Sequence, residues 1–196
     1  MGKWNEVKKM TMNIGVQPGV PGVTDKLNTN VYDSFSDGSG IAANTTHSLF
    51  LTPRGATKSY LDTNLEQASR IPWPWMEVCG IGVKVYNRTA VPSTMADVNQ
   101  MIQNNLVVFS ISEKVYYRLP AHYLPAGNGL FGVTSSGSVY TNGYPMLRNL
   151  FVIDPIVVTN QVNIACDVIT LSVIAAESAL TYFEFFLAGN IQRSAL

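Results

Sequence analysis

Charge is scarce in this chain. Lys, Arg, Asp and Glu together make up 13 % of its 196 residues, about half the usual share for a soluble domain. Thirteen basic residues offset thirteen acidic ones, so no strong field is available to draw nucleic acid or an anionic membrane. Histidine occurs only at His47 and His122, with no His-x-His pair, which denies a cupin-type metal site its clustered ligands. Cysteine is confined to Cys79 and Cys166. Each sits beside Val and Ile in a strand-like stretch, the setting of a buried free thiol; a bridge between them would need Cα atoms within about 7 Å. Two isolated cysteines also make no zinc site. A Gly-x-Ser-x-Gly elbow, a phosphate-binding glycine loop and a Cys/His nucleophile arrangement are all missing. Glu177 and Glu184 lie seven residues apart, on opposite faces of a strand, and read as solvated carboxylates rather than a glycosidase pair. The expectation is a chain that is no enzyme and needs no cofactor or small-molecule substrate.

Long apolar runs are missing too. Nothing approaches the roughly 18–20 residues of a membrane span. Met1-Gly-Lys-Trp-Asn-Glu-Val-Lys-Lys9 lacks the apolar core of a signal peptide, and Glu6 stands where a myristoylation motif needs Ser or Thr. Neither export by a visible signal nor membrane integration is expected. No internal repeat or low-complexity tract is visible.

What the chain does have is apolar content, 46 % of its residues, ample for the core of one domain. Its polar surface must be mostly Ser, Thr, Asn and Gln, and near-neutral surfaces favour association between copies. The apolar residues alternate, which marks strands. Ser48–Leu51 is a short one, ended by Pro53. Met76–Tyr86 carries Cys79, Ile81, Val83 and Val85 on one face, with Gly80 and Gly82 on the other, where glycines indicate a bulge or a close backbone. Leu106–Ser112 and Lys114–Leu119 follow. Two short candidates, Leu130–Val133 and Ser138–Tyr140, fall in a long loop marked by Pro120, Pro125 and the Asn128-Gly129 and Asn142-Gly143 turns.

Leu150–Val158, Gln161–Val168 and Leu180–Arg193 close the chain. Val162, Ile164, Cys166 and Val168 share a face of the second; Phe183, Phe185 and Leu187 share a face of the third. A short helix is expected from Thr63, which has capping-box spacing to Glu66 and an apolar stripe begun by Leu65 and Ala68. Another follows Ser93 or Thr94, with Met95, Val98, Met101 and Ile102 at 3–4 spacing. The fold class is all-β, with about eight strands and two short connecting helices. Eight strands in two facing sheets make a jelly-roll sandwich or barrel; a sandwich of another topology is the alternative.

Residues 1–45 read as an extended N-terminal arm rich in Gly, Pro, Ser and Asn, ahead of a β-sandwich domain over 46–196. Such an arm buries too little to offset its backbone entropy, so it must dock on its own domain or on a neighbouring subunit. Met10, Met12, Ile14 and Val16 alternate and would anchor it, for instance as a strand added to an exposed sheet edge. Lys3, Trp4, Lys8 and Lys9 could touch an internal membrane or a genome. Asp33-Ser-Phe-Ser-Asp-Gly38 echoes a calcium loop, but Phe35 falls where an oxygen ligand belongs, and the segment reads as a turn. Trp73 and Trp75 flank Pro74, either to stack on a sugar ring or to plug the barrel or meet a neighbour. Tyr116, Tyr117, His122 and Tyr123 form a ring-rich stretch, with Tyr116 and Tyr123 as interface candidates.

The closing segment resembles a known family. Pro155-Ile-Val-Val158, an alternating strand, a spacer, and an aromatic strand ending Phe186-Leu-Ala-Gly-Asn-Ile-Gln-Arg193 are similar to the final strands of single jelly-roll capsid proteins of tailless icosahedral bacteriophages. In that pattern the last strand ends in apolar-Gly-x-apolar-x-Arg, met here by Leu187, Gly189, Ile191 and Arg193. The resemblance covers about forty residues. It implies a virion shell or vertex subunit, assembled in the host cytoplasm, whose partners are copies of itself and other virion proteins. A lectin-like or receptor-binding β-sandwich, using Trp73, Trp75 and the 120–145 loop, is the alternative.

Overall fold

A computed structural model describes residues 24–36, 40–88, 95–124, 132–133, 140–141, 151–175 and 181–194. Lys3, Trp4, Lys8, Lys9, Met10, Met12, Ile14, Val16 and Glu177 lie outside the described residues. In chain order the elements are β1 (Thr24–Ser36), β2 (Thr46–Leu49), β3 (Trp75–Asn87), α1 (Met95–Gln103), β4 (Asn105–Ile111) and β5 (Lys114–Pro120). A 3-10 turn (Ala121–Tyr123) follows, then β6 (Gly132–Val133), β7 (Tyr140–Thr141), β8 (Phe151–Thr159), β9 (Ile164–Thr170) and β10 (Thr181–Ser194). The protein is an all-β sandwich of two four-stranded sheets, ordered β1-β10-β3-β8 and β2-β9-β4-β5, with β6 and β7 paired apart. Every neighbouring pair is antiparallel. Among the described residues no helix is long and apolar enough to cross a membrane.

Alternation becomes burial as period-2 geometry requires. On β9, Ile164, Cys166 and Val168 are buried between partly exposed Ala165, Asp167 and Ile169. On β10, Phe183, Phe185 and Leu187 point into the core, where the Phe185 ring lies 5.8 Å from Phe109 of β4. Each such side chain contributes about 1.5–3 kcal/mol by leaving water. Helix α1 forms where its 3–4 spacing predicts and buries Val98, Met101 and Ile102 in the same core. Asn105 then locks its end to the sheets, donating to Met101 O at 2.6 Å and accepting from the Thr170 hydroxyl at 2.8 Å.

Four expectations are corrected. Thr24–Ser36, placed in the arm, is a strand of the first sheet paired along its length with β10, and Val31 and Asp33 are fully buried. The sandwich therefore begins well before residue 46. The helix expected from Thr63 is absent because tertiary contacts claim its capping residues. Thr63 forms an antiparallel bridge with Asp33 of β1, and Glu66 pairs with Arg54 at 2.7 Å. Cys79 does not share a face with Ile81: it is the extra residue of a bulge between Val78 and Gly80, left partly exposed, while Cys166 is buried and no disulfide joins the two. The calcium-like segment is no turn at its start, since residues 33–36 continue β1.

Candidate functional site

Even-numbered residues of β1, of β10 and of β3 beyond its Cys79 bulge face outward from the first sheet, and their order across it builds a ladder. Ser34 lies opposite Glu184 and Glu184 opposite Lys84; Ser36 lies opposite Tyr182 and Tyr182 opposite Tyr86. The β2–β3 connection wraps over the free edge of β1 and reaches this face. It is held there by Tyr32, whose hydroxyl donates to Tyr60 O at 2.6 Å, and by Ser34, whose hydroxyl donates to Asp62 O at 3.1 Å. Between connection and sheet lies an open cleft of ≈ 900 Å³, with aromatic walls from Tyr32, Tyr60, Trp73 and Tyr86. Lys84, Arg88 and Glu184 also line it.

The charges of the cleft are organised in pairs. Lys84 Nζ is 3.3 Å from Glu184 Oε1, and Glu184 is only 8 % exposed, which corrects the expectation of a solvated carboxylate. Arg88 is the hub. It pairs with Asp62, donates to Leu61 O and to the Tyr86 hydroxyl at 2.7 Å, and lies 4.0 Å over the Tyr182 ring. Burial pushes the Tyr86 phenol up to about 12 despite the Arg88 bond. Burial also works against ionisation of Asp62, but the Ser59 N–H and hydroxyl together with Arg88 outweigh it and hold that carboxyl below its usual range. The planar guanidinium suits this role, since it can stack and bond in several directions at once.

The residues singled out by sequence do not converge. Trp73 lines the cleft and packs on the core, whereas Trp75 starts β3 opposite Thr159 and is not part of the lining. Tyr116 projects from β5 in the other sheet, and exposed Tyr123 sits in the 3-10 turn with its ring 4.4 Å from His122. Sequence reasoning missed Tyr32, Tyr60, Lys84, Tyr86 and Arg88. The alternation of Lys84, Tyr86 and Arg88 opposite Val83 and Val85 was a usable sign of a functional outer face. Most of the 120–145 loop lies outside the described residues.

The two flanks of the sandwich differ. At the β1 flank the edge is occupied from Asn30 to Asp33: Asn64 accepts from Tyr32 N at 3.1 Å and donates to Asn30 O at 2.7 Å, and Thr63 bridges Asp33, standing in for a strand. At the other flank β5 and β8 are the outermost strands of their sheets, joined across the sandwich by the Tyr117 and Phe151 rings at 6.2 Å. Val115, Tyr116, Val152 and Val157 are exposed there.

His47 is a partly buried member of β2. Its ring stacks on Phe35 at 4.1 Å and 5°, and its Nε2 has no hydrogen-bond partner among the described residues. Burial holds its pKa below the usual 6.5. The folded state thus prefers neutral imidazole while the unfolded chain takes up the proton, so stability present above pH 6.5 should fall as the solution is acidified through the lowered value. Urea unfolding of wild type and His47→Phe between pH 7 and 5 checks this; the variant should lose less stability over the interval.

Among the described residues no group of three or more His, Cys, Asp or Glu side chains is placed to hold a metal ion. Comparison with family models, curated proteins and solved structures finds no match.

Proposed function

We propose that this chain is a structural subunit of an icosahedral virion, a jelly roll that builds the shell or its vertices. The order in which strands join the sheets supports the topology. β1 to β4 alternate between the sheets, β4 and β5 pair within the second, and β8, β9 and β10 alternate again. Eight strands wound as two Greek keys, the arrangement of many capsid and lectin domains, run in this order.

The observation that carries the assembly reading is the contrast between the flanks. A sheet edge left unpaired is a liability that proteins cover, twist or charge. Here the β1 edge is covered by Asn64 and Thr63, while among the described residues nothing pairs with the outer edges of β5 and β8. Exposed valines on those strands would be buried by a second copy, and Pro155 in β8 removes one backbone donor, which discourages open-ended pairing. The balanced, sparse charge of the chain adds no repulsion between copies.

Sedimentation of the purified chain tests this. Wild type should form oligomers near neutral pH. The Val152→Lys/Val157→Lys variant should sediment as a monomer with an unchanged melting midpoint, because exposed substitutions of this kind alter folding by only about 0.5 kcal/mol. A wild-type chain that stays monomeric at high concentration sinks the proposal.

A further inference from the structure

We propose that the cleft over the outer face of the first sheet binds a neutral glycan, a function that stands apart from assembly through the opposite flank. Its size and its aromatic lining with a few placed polar groups are those of a ligand site. The chemistry of the occupant follows by elimination. An anionic ligand such as a phosphate or a nucleic-acid backbone needs cations that are not already neutralised. Here Lys84 is paired with Glu184, Arg88 with Asp62, Arg54 with Glu66, and Lys58 with Asp33. A peptide adding as a strand needs the free edge of β1, and Asn64 with Thr63 already fills it from Asn30 to Tyr32.

A pyranose ring suits what remains. Its C–H faces pack on aromatic rings, and its hydroxyls both donate and accept. The cleft offers the Asn30 amide, the Glu184 carboxylate and the Lys84 ammonium, a mixture of acceptors and donors with no net charge. The walls are held before any ligand arrives. Tyr32 is tied to Tyr60 O, Tyr86 to Arg88, and Arg88 to the wrapped connection. Preorganisation of this kind lowers the entropy cost of binding.

The full chain, applied to an array of neutral and acidic oligosaccharides with hits titrated by calorimetry, tests the proposal. Tyr60 is the residue to change: it is 61 % exposed, and its backbone carbonyl rather than its ring anchors Tyr32, so Tyr60→Ala should melt as wild type does. We expect retention of neutral glycans, a Kd raised roughly tenfold by Tyr60→Ala, and no change with Tyr123→Ala, an equally exposed ring elsewhere. Retention of no neutral glycan, retention of acidic glycans alone, or binding that Tyr60→Ala leaves intact each overturns it. Sedimentation of the same samples reads the assembly proposal separately.

Discussion

Asp33→Ala should cost about 3–5 kcal/mol of folding stability, a large part of the roughly 5–15 kcal/mol a domain of this size has. The carboxylate is fully buried. Its Oδ1 accepts from Lys58 Nζ at 2.6 Å and from Ser34 N at 2.9 Å, and its Oδ2 accepts from Phe50 N at 2.6 Å. Phe50 is itself buried with φ of 69°, a backbone region costly for a bulky residue. The Asp33 bond helps hold it there, at the point where the chain leaves β2 to wrap the β1 edge. Burial raises the Asp33 pKa even against Lys58 and the two N–H donors, so the pair itself stabilises little. The cost of the substitution comes from leaving two N–H groups unsatisfied and the Lys58 ammonium, still bonded to Ser34 O at 2.9 Å, without its counter-charge.

A double-mutant comparison separates these effects. Asp33→Ala/Lys58→Met should recover part of the loss, since the stranded cation goes with its partner. Asp33→Asn should recover little, because its NH2 would meet one of the three donors. Urea midpoints of the three variants measure this. A loss under 1 kcal/mol for Asp33→Ala would mean that the buried carboxylate is not what seats the wrapped connection.

Gly189→Ala should destabilise by about 3 kcal/mol, at the upper end of what overpacking usually costs. A Cβ at this position would lie 2.0 Å from Glu77 O and 2.9 Å from both Glu77 C and Val78 Cα. All three are backbone atoms, so no rotamer change relieves the clash and β10 would have to part from β3. Gly189 sits where the β10–β3 register shifts around Cys79, and β10 is an inner strand paired on both sides. Thermal and urea unfolding should show the loss, while Gly55→Ala gives the contrast: at φ of 87° with nothing within 4 Å of its Cβ, it should cost only the backbone strain. If Gly189→Ala melts within a degree or two of wild type, the strands are not held as closely as described.

Period-2 alternation in Val162–Val168 and Phe183–Leu187, and the 3–4 spacing of Met95 to Ile102, were sufficient to identify β9, β10 and α1 and the faces they bury. These are local signals backed by apolar surface large enough to decide orientation wherever one face is dry. Gly80 and Gly82 indicated a bulge or a close backbone, and the bulge falls beside them at Cys79, while Gly189 marked the closing strand, where the contact with Glu77 leaves no room for a side chain. What only the tertiary structure decided were the places where a distant partner outweighs a local preference. Thr63 and Glu66 have the spacing of a helix start, yet Thr63 bridges Asp33 of β1 and Arg54 takes the Glu66 side chain. Asp33 has the composition of a turn and is instead a buried acceptor for Phe50 and Lys58. Glu184 looks solvated and is covered across the sheet by Lys84. The cleft is legible only after folding, because Tyr32, Tyr60, Trp73, Lys84 and Glu184 come from segments up to 152 residues apart. Such residues share a surface only through strand order, which depends on the cumulative free energy of many long-range pairings rather than on any local pattern.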